Sequence, residues 1–537
     1  MSTSLGNRNS QHSFARVPTA NTPRSKFDRS FAAKDTVNFD YLNPFFVDEI
    51  LPGDTINLNV KTFMRLAPQV RPLMDNMMVD FYFFFIPNRL VFNEWQKLMG
   101  EQENPGDSID YLTPVLDTDA LTSFSVGTIY DKFGLPTDVS GWGAIDKINA
   151  LPFRGYYLTW NQWFRDQNLQ NSLTVNKGVG PDPVTYQLQK GNKKHDYFTS
   201  ALPFQQKGTA TTIGISGTAP VIGNNDPFRL SPDSASDPSK QIELGTTGRP
   251  LLYQSPPLGA AAFAYVPNDP DESSMQVAFS ADGSTAAIAI TLFREAMQVQ
   301  SFLEQDARGG TRYTEILKSH FNVVSPDARL QRVEFLSAST INISQHPIAQ
   351  TSESDTTPQG NLAAYSTAAE MGNQIGFSKS FVEHGFVLGL FKARADITYQ
   401  QGLNKMWSRR TRLDYFWPKF QELSEQPVYQ REIFLGPTGS NIFGWQERYA
   451  EMRYRPSEIR GQFRSTFAES LDVWHLAEEF GSAPALNNAF IQSNTPIERA
   501  LVVPDEAYPD LLVDFWFDYK HVRPMVAYPV PVSLGRF

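Results

Sequence analysis

The sequence predicts a mainly β fold of the jelly-roll kind, its strands separated by long helical and loop excursions. Three observations predict it. Runs of β-forming residues stand early and late in the chain, at residues 55–65, 77–86 and 511–519. The stretches between them do not alternate strand and helix in the βαβ manner. Aromatic residues make up 13% of the 537 residues against 19% charged ones, which suits a large core, extensive partner contacts, or both.

Residues 1–34 are rich in Ser, Asn, Thr and Arg and show neither strand nor helical period. A basic N-terminal arm is expected there, without fixed structure unless a partner supplies it. In it Arg8, Arg16, Arg24, Lys26, Arg29 and Lys34 face one acid, Asp28. Residues 35–537 are expected to form a single jelly-roll domain. In 55–65, Ile56, Leu58 and Val60 alternate with Asn57, Asn59 and Lys61, the period of a half-buried strand. Residues 77–86, MMVDFYFFFI, form an unbroken run ended by Pro87. That run suits a strand covered on both faces, or one shared between core and subunit contact. The late run LLVDFWFDY repeats its Val-Asp-Phe-aromatic-Phe, which reflects strand chemistry and not an internal repeat. Early and late strands are expected to pair in one sheet.

Helices interrupt this pattern. Tyr156, Trp160, Trp163 and Phe164 recur at helical spacing, as do Leu292, Ala296, Val299 and Leu303 before the stop Gly309-Gly310. Thr311 precedes a short amphipathic stretch with Tyr313, Ile316 and Leu317, and alternation returns near 330–343 and 375–399. Residues 205–289 read as a surface-exposed insertion rich in Gly, Pro, Ser, Thr and Ala. From 224 to 283 the acids Asp226, Asp233, Asp237, Glu243, Asp269, Asp271, Glu272 and Asp282 outnumber Arg229, Lys240 and Arg249.

The formal net charge is −10, which argues against a general nucleic-acid binder, but the basic residues are clustered. Lys405, Arg409, Arg410, Arg412 and Lys419 stand against Asp414 alone. Arg448, Arg453, Arg455, Arg460 and Arg464 stand against Glu451 and Glu458, with Tyr449, Tyr454 and Phe463 interleaved. Arginine forks beside aromatic faces suit a phosphate chain with splayed bases. They also suit a subunit interface, where Arg is a frequent anchor, and that reading is the stronger of the two. Both readings stay open for Arg409, Arg410, Arg412, Arg453, Arg455 and Arg460.

A search for catalytic chemistry finds no site. There are no cysteines, so disulfides, thiolate metal sites and cysteine nucleophiles are excluded. The seven histidines form no metal-binding pair of the H-E-x-x-H kind. Gly309-Gly310 lacks the remainder of a phosphate-binding loop, and Gly214-Ile-Ser216-Gly217 is one residue short of a nucleophile elbow. His195-Asp196 lies in a Lys-rich loop and reads as solvated surface, and the acidic 269–273 loop misses EF-hand spacing. No secretory signal and no spanning helix are expected, so the protein reads as soluble, with no membrane insertion and no cofactor.

Several segments together carry a resemblance. NFDYLNPFFVDEILPGDTINLNV, MDNMMVDFYFFFIPNRLVFNEWQKLMGE, LPFRGYYLTWNQWFRDQNLQNS and DARGGTRYTEILKSHFNVVSPDARLQRVEF closely resemble major capsid proteins of gokushoviruses, a branch of the microviruses. TYQQGLNKMWSRRTRLDYFWP, ERYAEMRYRPSEIRGQFRSTFAESLDVWHLA and FDYKHVRPMVAYPVP match as well, so the resemblance runs from about residue 14 to 537 outside the 205–289 insertion. It implies an eight-stranded antiparallel jelly roll of the viral coat type, in a T=1 icosahedral bacteriophage shell around circular single-stranded DNA. It also implies that the insertion projects near the threefold axes and takes part in host recognition. Asp226, Arg249, Tyr253, Tyr265, Asp269, Asp271 and Glu272 are the host-facing candidates. The partners implied are an internal scaffolding protein, a DNA pilot protein, a small DNA-packaging protein and a host cell-surface receptor. Assembly would take place in the host bacterial cytoplasm, and the product would be the virion. The expected charge layout sets Arg8, Arg16, Arg24, Lys26 and Arg29 inside against phosphates, and the acidic insertion outside. Two other readings compete: a carbohydrate-active β-protein, which should show a signal peptide or paired carboxylates in a cleft, and a trimeric receptor-binding spike.

Overall fold

The computed structural model describes residues 23–118, 123–140, 142, 148–209, 290–324, 326, 331–353, 359–503 and 508–528. The chain divides into two compact units, Met1–Lys207 with Leu303–Phe537, and Gly208–Phe302. In the smaller unit, the described residues are 208–209 and the opening turns of the helix Ile290–Arg308.

The larger unit is built on antiparallel strands. They are β1 (Ser25–Asp28), β2 (Phe31–Val37), β3 (Asn43–Ile50), β4 (Thr55–Leu66), β5 (Met77–Pro87), β6 (Glu334–Ala349), β7 (Leu362–Ser380) and β8 (Gly385–Ala395). Four short strands follow: β9 (Thr398–Tyr399), β10 (Gln426–Tyr429), β11 (Ile442–Gln446) and β12 (Ser457–Glu458). The last, β13 (Leu511–Arg523), returns to the main sheet. One layer runs β13–β4–β7, with β1 and β2 lying end to end along the other side of β13. The second layer runs β3–β8–β5–β6. This interleaved order, with neighbours drawn from distant sequence, is that of a jelly roll. The expected pairing of early and late sequence is present along the whole of β4 and β13.

β6 belongs to both layers. Its first part pairs with β5 from Glu334 to Ile343, and Ser344–Ala349 pairs with β7.

Alternation explains the core between the layers. Leu511, Val513, Phe515, Phe517 and Tyr519 of β13 point inward, as do Ile56, Leu58, Val60, Met64 and Leu66 of β4. They meet Val79, Phe81, Phe83 and Phe85 of β5 and Val387, Phe391 and Ala393 of β8. A register shift in β3 between Pro44 and Phe46 lets two consecutive rings turn toward this core. Phe45 then lies 5.0–5.9 Å from the rings of Phe81, Phe83, Phe391, Phe515 and Phe517, and so touches both layers. Gly376 allows the β4–β7 approach, because a Cβ there would sit 2.1 Å from the Leu58 carbonyl oxygen.

The twin Val-Asp-Phe runs have different surroundings. β5 is covered on both faces: its outer residues Phe84 and Ile86 join Leu388, Leu390, Phe153, Tyr156 and Trp160 in a second core. Asp80 is buried there against Arg394 and Thr340. β13 is covered on one face only, and its Asp514 is exposed, 3.0 Å from Lys34. The second core is roofed by the helix Leu151–Thr159, which Gly155 lets down onto Phe386. The helix expected through Phe164 continues as a π-turn, Trp160–Phe164, which turns the Trp163 indole N–H to the Val333 carbonyl. The helix Tyr313–Phe321 follows Thr311 as expected, and Asn322 ends it at φ 54°.

Arg154 on the roofing helix is 0% exposed. It forms a two-pronged pair with Asp182, at 2.6 and 2.7 Å, and donates to the carbonyls of Val91 and Gly178. Burial opposes the Asp182 charge, yet hydrogen bonds from Arg154, Tyr186 and Asn176 hold its carboxyl below the usual range. Arg154→Met leaves that carboxylate buried without its cation. It is expected to cost about 3–5 kcal/mol, measured as a shift in the urea midpoint of the unassembled subunit.

Lys392 continues the outer face of β8 and donates to the Asn192 carbonyl at 2.8 Å. Burial pushes its ammonium down to about 8, only partly offset by Asp40 and Asp80. The unfolded chain then holds this proton more tightly than the fold does, so stability from this group falls as pH drops from 10.5 toward 8. Subunit stability is expected to rise by about 2 kcal/mol between pH 8 and 10 from this source, and Lys392→Met to flatten that rise in pH-dependent denaturation.

Candidate assembly surface

A third core supports the basic segments. Tyr197, Phe198, Tyr399, Val428, Ile433, Phe443, Ala450, Phe490 and Ile491 pack together beneath β10 and β11. Polar ties fix its rim. The Tyr197 hydroxyl donates to Glu432 at 2.9 Å, and the Tyr399 hydroxyl donates to Asp196 at 2.7 Å. Lys405 donates to the Pro427 carbonyl at 3.0 Å, and Arg409 pairs with Glu451 at 2.9 Å. Burial raises the Glu432 carboxyl, against the pull of Lys405. Burial acts on Glu451 too, but Gln426, Lys405 and Arg409 together hold it below the usual range.

On this floor lies a loop of three 3-10 turns, Lys405–Ser408, Arg412–Asp414 and Pro418–Phe420. Asn404 caps the first by accepting from the Met406 N–H, and Asp414 accepts from the backbone N–H groups of Arg410 and Thr411. Those two bonds hold the Asp414 carboxyl below its ordinary range. The Trp417 indole donates to the Arg412 carbonyl at 3.0 Å, and the Arg412 guanidinium sits 4.8 Å from the Trp417 ring centre. Tyr449 is held at φ 63°, with Phe416 edge-on at 5.0 Å and Arg448 over its ring. The backbone is tied down while the side chains face out: every residue from 410 to 419 is exposed. Leu413, Tyr415, Phe416 and Trp417 lie among them, and Trp407 beside them is 70% exposed.

A family model described as capsid protein (F protein) matches residues 15–533, nearly the whole chain. The chain belongs to the phage F capsid protein family. Capsid protein VP1 of Bdellovibrio phage phiMH2K is 58% identical, covering 99% of this chain and 100% of that protein. Capsid protein VP1 of Chlamydia phage 1 is 40% identical over 96% of this chain and 97% of its own length. Capsid protein VP1 of Spiroplasma virus 4 is 34% identical, over 97% of each. The gokushovirus resemblance agrees with these relatives. As a member of that family, the chain is a structural subunit of a virion shell. Among the described residues there is no cluster fit to hold a metal ion, and no helix is long and apolar enough to cross a membrane.

Within this capsid protein the two basic segments differ. Arg453 pairs with Glu447, and Arg455 and Arg460 share Glu458, so all three have a carboxylate partner within the chain and one positive charge is left over. Arg409 is spent on Glu451. Arg410 and Arg412 have no carboxylate partner among the described residues. The acidic partners were not legible in advance, since Glu447, Glu451 and Glu458 pair by folding and not by sequence spacing.

The arm departs from expectation. Arg8 and Arg16 lie outside the described residues, but from Ser25 onward the chain is strand, paired to the edge of β13. Composition could not reveal this, because the partner lies almost five hundred residues away. Arg24 donates to Thr55 at 2.8 Å, and Lys26 is exposed. Arg29 pairs with Asp48 and lies 5.2 Å from the Tyr519 ring centre. Asp226, Arg249, Tyr253, Tyr265, Asp269, Asp271 and Glu272 lie outside the described residues.

One surface escaped the sequence reading. Residues 101–112 form an exposed loop with Glu101, Glu103, Asp107 and Asp110, flanked by exposed Met99, Ile109 and Leu112, the last 81% exposed. Asp107 accepts from the Asn104 N–H and shapes the turn. The signal was present as acids and aliphatics together with no basic residue.

The Arg29 tie separates a structural role from a DNA role. Arg29→Ala is expected to lower subunit stability by about 1–2 kcal/mol and to speed proteolysis before β2, while Lys26→Ala leaves both unchanged. Thermal melting and limited proteolysis of the unassembled subunit check this.

Proposed function

We propose that this subunit builds a T=1 icosahedral shell around a circular single-stranded DNA genome, with the 205–289 insertion contributing to host recognition. The observation that carries this reading is a full-length match to phage coat proteins on a two-layer jelly roll whose surface keeps many exposed rings. Weak contacts suffice in such a shell, because each subunit is held by several neighbours at once. The acidic insertion faces the medium and the basic arm faces the genome. In the arm, Arg8, Arg16, Arg24 and Lys26 carry the phosphate contacts, and Arg29, already neutralised by Asp48, fixes the root. The partners are an internal scaffolding protein, a DNA pilot protein, a small DNA-packaging protein and a cell-surface receptor, with assembly in the bacterial cytoplasm.

Electron microscopy of purified particles, with genome extraction after nuclease treatment, tests the shell and its cargo together. Closed particles protecting circular single-stranded DNA are expected; a trimer or monomer would overturn the reading. Replacing Arg8, Arg16 and Lys26 by Gln is expected to lower the DNA-filled fraction while empty shells persist. The salt slope of DNA retention is expected to fall by about 2, at roughly 0.7 per phosphate contact on a single strand.

A further inference from the structure

We propose that the ring-bearing basic loop at residues 404–423 docks on the acidic loop at 101–112 of a second copy of this chain. The proposal rests on the shell reading and names one contact within it. Soluble monomers seldom keep so many contiguous rings in water, and an ordered, exposed patch of this kind marks an interaction site. Here the rings are held ready by turns anchored through Asn404 and Asp414 and by Tyr449 beneath, so little ordering entropy remains to be lost on docking.

Charge selects the occupant. Arg410 and Arg412 point outward without carboxylates among the described residues, and Lys419 is exposed beside them. A twofold contact of this loop with itself would set those cations against their own copies, which is unfavourable. The acidic loop offers the complement: Glu101, Glu103 and Asp110 are exposed, Met99, Ile109 and Leu112 supply apolar surface, and no basic residue lies between 98 and 112. Both loops are exposed in the single chain, so neither covers the other. A contact between two different patches is heterologous, and such contacts close into rings when the rotation permits.

Charge exchange tests this in particles produced in cells. Arg410→Glu with Arg412→Glu, and separately Glu101→Lys with Glu103→Lys, are each expected to reduce particle yield on the order of 100-fold, the quadruple variant recovering most of it. Circular dichroism and thermal melting of the soluble subunit verify that each variant folds. Because the chain has no cysteine, Leu413→Cys with Ile109→Cys provides a second readout: a short bifunctional maleimide is expected to give a ladder of linked subunits, and either single variant none. Folded reversal variants that assemble normally would overturn the proposal, as would a quadruple variant that stays unassembled. Linking by Leu413→Cys alone would assign the loop to self-contact instead. Normal empty shells that lack DNA would assign it to the genome. Absence of particles from the unaltered chain would remove the shell reading as well.

Discussion

The sandwich depends on β13 being hydrogen-bonded along both edges, with β4 on one side and β1 and β2 on the other. This pairing joins the two ends of the described chain and places Phe515, Phe517 and Tyr519 over Phe45 and Phe46. Phe45 reaches rings of both layers only because the β3 bulge turns it inward. Loss of that pairing would expose one edge of β4 and open the ring cluster to water, so the long excursions between strands presuppose it. Strand edges left open also invite pairing with other chains.

Much of this architecture was legible from alternation. Ile56, Leu58 and Val60 announced the inner face of β4, and the unbroken run at 77–86 announced a strand with no solvated face, which the structure covers from within the chain. What sequence could not separate was the fate of its twin. Asp80 and Asp514 sit in nearly identical pentapeptides, yet one is buried against Arg394 and the other lies in solvent beside Lys34. The difference comes from what covers each outer face: Arg394 and Thr340 close on Asp80, with the roofing helix packed further along the same face of β5, while the outer face of β13 is open. The strand character of residues 25–37 was hidden for a similar reason. A polar segment becomes strand when a distant edge offers it backbone partners.

The basic segments show how far a charge count misleads. Five arginines between 448 and 464 suggest a strongly positive surface, yet Glu447 and Glu458 engage three of them and offset two of their charges. Exposed pairs of this kind contribute little to stability, but they set the sign of the surface that remains. Arg410 and Arg412 differ from those three in having no carboxylate partner among the described residues, and they stand beside rings that the fold presents and does not bury.

β6 changes layers midway, so the two sheets are one fabric folded over along a seam. Sliding one layer across the other would tear backbone hydrogen bonds at Ser344–Ala349 and not merely displace side chains. A tile hemmed in this manner resists shear at that border through backbone bonds, and yields more readily at the opposite margin, where side chains such as Arg29 on Asp48 make the tie. Deformation of a wall made from such tiles is therefore directional, stiff along one rim and compliant along the other.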